Sequence, residues 1–128
     1  MLDQPRATEL VNEIGAMIVG SEGFRARDWH SLSVVVVMEG EAVHLFGYTY
    51  DAAGEPEAGV PGDFDLNDRF EELRAAMTSR GGRPWVSALV QIRRSDRGID
   101  IDFEYDDPGR WRVTPADVET KPGELRPR

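Results

Sequence analysis

The sequence predicts an α+β fold in two layers, ordered α-β-β-α-β-β, with a four-stranded antiparallel sheet and both helices on one of its faces. Three observations predict it. Two segments repeat apolar residues at the spacing of a helix face, and two pairs of β-branched or aromatic runs are each joined by a short polar turn. The last of these runs, "IDIDFEYDDP" at 99–108, alternates apolar and acidic residues from Ile99 to Asp106. At 128 residues the chain suits a single domain, 1–128, which on folding buries roughly two thirds of the surface exposed by its extended form.

In chain order, Thr8 stands as the N-cap of a first helix in which Leu10, Ile14, Met17 and Ile18 share a face, and Gly20 and Gly23 end it. The valine-rich run 32–38 and the aromatic run 42–50, "AVHLFGYTY", flank Glu39, Gly40 and Glu41, which reads as a β-hairpin. Residues 34–37 are all valine, so the first strand is expected to be central or covered on both faces. Glycine, proline and acids fill 51–63, "DAAGEPEAGVPGD", which predicts a mobile loop. A second helix, capped by Asp65, carries Leu66, Phe70, Leu73 and Met77 in one stripe and stops at Gly81 and Gly82. Strands at 85–94 and 99–105 form a second hairpin around "SDRG". Four prolines mark 108–128 as an irregular C-terminal tail, packing through Trp111 and Val113.

The alternation at 99–105 fixes which face each side chain takes. Ile99, Ile101, Phe103 and Tyr105 must meet the helices, and Asp100, Asp102, Glu104 and Asp106 then stand in a row on the other face, with Asp107 appended. Neighbours in such a row are roughly 6.7 Å apart. Each adjacent pair repels by about 0.6 kcal/mol in water and by about 2.5 kcal/mol at the effective permittivity of a protein surface. A tight turn at Asp96 and Arg97 places Asp100 opposite Arg93, Asp102 opposite Gln91, Glu104 opposite Leu89 and Asp106 opposite Ser87, with Trp85 just beyond. In that register only Arg93 neutralises the row, while Leu89 and Trp85 leave apolar surface among the acids, the composition of a protein-binding face. A solvated outer face is the bland explanation of the same pattern.

Composition narrows the function. The chain has 24 Asp and Glu against 15 Lys and Arg, a formal net charge of −9, which argues against binding to nucleic acid and to anionic membranes. With no cysteine, disulfides, thiolate metal sites and thiol nucleophiles are excluded. The opening "MLDQPRATEL" lacks the basic start and apolar stretch of a secretory signal, and the longest apolar run, 34–38, is too short to span a bilayer, so a soluble cytoplasmic protein is expected. His30 and His44 lie in different segments, and no metalloprotease or nucleophile-elbow pattern accompanies them. "SRGGRP" follows a helix where a phosphate loop would open one. No catalytic residue and no cofactor is therefore assigned. The alternative function is a small metal- or ligand-binding α+β domain using the carboxylate cluster, although acids along a flat strand need help from loops to wrap a cation. A homodimer pairing open sheet faces is a third reading, against which the like charges argue.

Several residues together resemble a known family. An opening helix, Trp29 before the first strand, the ending "GYTY", a helix with "ELR", the Trp85-headed strand "WVSALVQI" and then "IDIDFEYDDP" are similar to the YezG-type immunity proteins, also described as antitoxins. The continuation "RWRVTP" with a closing "LRP" looks like the family's actinobacterial branch. The resemblance implies a small cytoplasmic protein, without enzymatic activity or cofactor, that binds and neutralises a secreted polymorphic toxin, often a nuclease. It meets the charge pattern at one point, because a nuclease surface that holds phosphate is basic. The partner-binding residues expected on this basis are Asp100, Asp102, Glu104, Asp106 and Asp107 for charge, with Trp85, Leu89 and Trp111 as anchors.

Overall fold

The computed structural model describes residues 4–21, 24, 28–39, 42–59, 65–78, 84–94, 98–107, 109–111, 120 and 125. Its elements run α1 (Gln4–Gly20), β1 (Ser31–Glu39), β2 (Ala42–Tyr50), β3 (Pro56–Gly59), α2 (Asp65–Thr78), β4 (Ser87–Arg93) and β5 (Ile99–Glu104). The fold is α+β, with two helices and one antiparallel sheet of five strands in the order β3-β2-β1-β4-β5. No helix among the described residues is long and apolar enough to cross a membrane.

The extra strand corrects the expectation of a loop at 51–63. Asp51 accepts the backbone N–H groups of Ala53 at 2.9 Å and Glu55 at 3.0 Å through one side-chain oxygen, Gly54 N–H donates to the Asp51 carbonyl at 2.9 Å, and Gly54 takes a φ of 86°. Residues 52–54 are thus a three-residue hairpin loop with glycine in the left-handed position. Pro56 then opens β3 on the sheet edge, where its missing N–H costs no ladder bond. Residues 60–63 lie outside the described ones, as do Gly23, Gly40, Glu41, Gly81, Gly82 and Val113.

α1 begins four residues earlier than the cap assigned to Thr8, which sits exposed within the helix. Pro5 explains the start: in the first turn its fixed φ suits a helix and its missing N–H has no intrahelical partner to lose. At the other end Ser21 donates its hydroxyl to the Ile18 carbonyl at 2.7 Å.

Leu10, Ile14 and Ile18 of α1 and Leu66, Phe70 and Leu73 of α2 form one core with Leu32, Val34, Val36, Ala88, Val90 and Ile92 of the sheet. Arg69 of α2 joins Glu13 of α1 at 3.2 Å on the rim. β1 lies between β2 and β4, and Val34, Val35, Val36 and Val37 are all buried, as the lack of alternation predicted. A second, smaller core fills the opposite face of the sheet. There Val35, Val37 and Leu89 are covered by Trp111 and Leu125, with Phe46 and Tyr48 at the margin. The Gln91 side-chain amide donates to the Leu125 carbonyl at 2.9 Å and ties the C-terminal segment down. The face expected to lie open is therefore covered at its centre.

Candidate functional site

The acid row lies on β5, an edge strand, and its parity is as the alternation required: Ile101 and Phe103 pack on the helix-side core while Asp100 and Asp102 are exposed. Its register is shifted by two residues from the tight-turn expectation. Asp100 faces Gln91, Asp102 faces Leu89 and Glu104 faces Ser87. The cause is a longer connection: Arg93 N–H donates to the Gly98 carbonyl at 3.0 Å, leaving four residues, 94–97, between the paired positions. A shift of two conserves the face of every side chain, which a shift of one would not.

The three expected anchors are not on offer to a partner. Leu89, 5% exposed, and Trp111, 7% exposed, belong to the second core. Trp85 is fully buried in the first core, 5.5 Å from Phe103 between ring centres. Its face was misassigned because the strand is interrupted at its start. Val86 N–H donates at 2.8 Å to the carbonyl of Glu104, the same residue that Ser87 faces, so two residues stand against one. Such a bulge reverses the alternation behind it, turning Trp85 toward the helices. Arg74 of α2 then holds the Trp85 carbonyl at 2.7 Å.

The row is also more neutralised than expected. Arg93 reaches diagonally to Asp100 at 2.8 Å, and Arg110 pairs with Glu104 at 3.1 Å. Arg110 in turn lies over the Trp111 ring at 4.8 Å, so Glu104, Arg110 and Trp111 link the strand to the segment that covers the sheet. Arg110 was not singled out from the sequence, although its place beside Trp111 in "GRWR" is the available signal. Among the described residues Asp102 has no cation at ion-pair distance. Asp106 and Asp107 extend the exposed negative surface past the strand, where Asp107 also accepts Gly109 N–H at 2.9 Å.

Glu104 differs in kind from its neighbours. Its carboxylate accepts the backbone N–H of Asp106 at 3.0 Å and of Asp107 at 3.2 Å, and its side chain is 17% exposed. These two N–H groups hold its pKa below the ordinary carboxylate value; partial burial opposes them, and the Arg110 guanidinium adds to the lowering. Because the shift is downward, the stabilisation is whole above the pKa of an unfolded glutamate and is lost as pH falls through the lower folded value. We expect the protection of the Asp106 and Asp107 amides against hydrogen exchange to fall through that acid window in the wild type. In Glu104→Ala, which removes the acceptor, it should already be low at neutral pH. Unchanged protection in the variant would remove Glu104 as the organiser of this turn.

Among the described residues no group of three or more His, Asp or Glu is gathered as a metal site. No family model matches the chain, and no curated protein matches it.

Proposed function

We propose that this chain is an immunity protein of the cytoplasm that binds and neutralises a cognate toxin domain, a basic nuclease, through the acids of β5 and the turn after it. It acts by binding and needs no cofactor. The observation that carries this reading is the exposed run Asp100, Asp102, Asp106 and Asp107 on an edge strand and the turn after it, in a chain of net charge −9. Complementary charge speeds encounter and discriminates among partners more than it adds raw affinity. With Trp85, Leu89 and Trp111 buried, the contact is polar, with Tyr105, 37% exposed, as its aromatic member. Glu104 supports the surface by ordering the turn rather than by meeting the partner.

A guarding role for the same acids is favoured by their position, since charge along an edge strand discourages pairing with another copy. The two readings separate in one titration. The proposed cognate toxin domain, a basic nuclease, purified and added to the chain, should bind with affinity that weakens as salt rises, and its nuclease activity should fall in step with occupancy. Absence of binding with the chain folded would leave only the guarding role.

A further inference from the structure

We propose that the groove between α1 and the paired ends of β4 and β5 is a binding site for a small amphipathic organic anion, a molecule with an apolar chain or ring and one carboxylate. This site is separate from the acid row and stands independently of the toxin-binding reading. The groove has a volume of about 680 Å³, within the range of small-molecule sites. Ala16 and Val19 of α1 form one wall, Ile92 and Ile99 the other, and Trp29 and Arg94 line it as well. Val19 is 38% exposed, one of two large apolar side chains left exposed among the described residues. An apolar occupant lying along these walls removes that surface from water.

One polar feature selects the charge of the occupant. The Arg94 guanidinium lies over the Trp29 ring, 4.0 Å from its centre, a stacking that leaves the in-plane N–H donors available. Arg94 is fixed there by its backbone, whose N–H donates to the His30 carbonyl at 3.0 Å. No carboxylate among the described residues pairs with it, whereas its neighbour Arg93 is taken up by Asp100. Asp28 and Asp51 border the adjoining hollow, into which Arg94 also opens, and neither reaches ion-pair distance. The indole N–H of Trp29 is buried with no acceptor, as is that of Trp85 in the core, and it carries no part of this selection. The net negative charge of the protein does not forbid an anion here, because charges beyond about 8 Å are largely screened at physiological salt and the adjacent guanidinium decides the local potential.

The test is a titration of the full-length, nitrogen-15-labelled chain with sodium octanoate, followed through the three indole N–H resonances. Octan-1-ol and octylammonium serve as isosteres of changed charge. Octanoate should bind saturably below about 1 mM and shift the Trp29 indole resonance. The alcohol and the ammonium should bind about tenfold more weakly or worse, for want of the charge-assisted bond. Arg94→Gln should weaken octanoate about tenfold while leaving octanol unchanged. Ala16→Phe, which fills the groove from an exposed helix position, should abolish binding of all three. Overturning results are an absence of saturable binding, equal affinity for the three probes, unchanged octanoate affinity in Arg94→Gln, or shifts confined to the Trp85 and Trp111 indoles.

Discussion

Trp85→Ala is expected to cost about 3–5 kcal/mol of folding stability and to lower the thermal midpoint by about 10 °C or more. The side chain is fully buried and packs on Phe103. Its truncation leaves a cavity between α2 and the sheet which the surrounding strands, held in register on both sides, cannot collapse to fill. The backbone around it joins three elements: Arg74 of α2 holds the Trp85 carbonyl, Met38 N–H donates to the Val86 carbonyl at 2.9 Å, and Val86 N–H donates to β5. Urea unfolding of the wild type, Trp85→Ala and Trp85→Phe measures the effect, with the phenylalanine variant between the other two. An alanine variant as stable as the wild type would return Trp85 to the surface and restore it as a candidate anchor.

The second large effect is expected at Gly47, in the middle of β2. Gly47 pairs with Val34 on one side and Gly59 on the other. A Cβ built there falls 2.4 Å from the Ser33 carbonyl oxygen and 3.2 Å from a Val34 methyl. The first of these neighbours is backbone in the central strand and cannot rotate away. Gly47→Ala should therefore destabilise by about 2–3 kcal/mol through overpacking, even though the same change at an unstrained site stabilises by restricting the unfolded chain. At Gly20, where a Cβ meets nothing within 4 Å, the change to alanine should be neutral or favourable, which makes it the control. Equal unfolding midpoints for the two variants would contradict the close approach of β2 to β1.

What could be read from the sequence followed from periodicity. The helix stripes, the all-valine central strand, the β1–β2 hairpin and the parity of the acids each rest on a repeating pattern with one physical solution, because the wrong face would bury carboxylates. What could not be read depended on single residues that interrupt a pattern. The three-residue turn ending in Gly54 converted a loop into β3, and the bulge at Val86 turned Trp85 from one face to the other. The tail packs through Trp111 as its sequence predicts, but the place it covers, on Val35, Val37 and Leu89, depends on contacts more than twenty residues apart in sequence, which carry no local signature. The charges of the candidate site were thus legible, whereas its anchors were not. The backbone N–H groups of Asp106 and Asp107 changed the meaning of Glu104 from a member of a charged row to the organiser of a turn.

The acid row is tested most directly by the affinity of Asp100→Lys with Asp102→Lys for the proposed cognate toxin domain, a basic nuclease, measured with the wild type at low and at physiological salt. Both positions are exposed, and the one ion pair given up, Arg93 with Asp100, is a surface pair of small worth. The double variant should therefore unfold within a few degrees of the wild type, bind about tenfold or more weakly, and lose most of the salt dependence of binding. A folded double variant with wild-type affinity and wild-type salt dependence would contradict a role for β5 in holding the toxin.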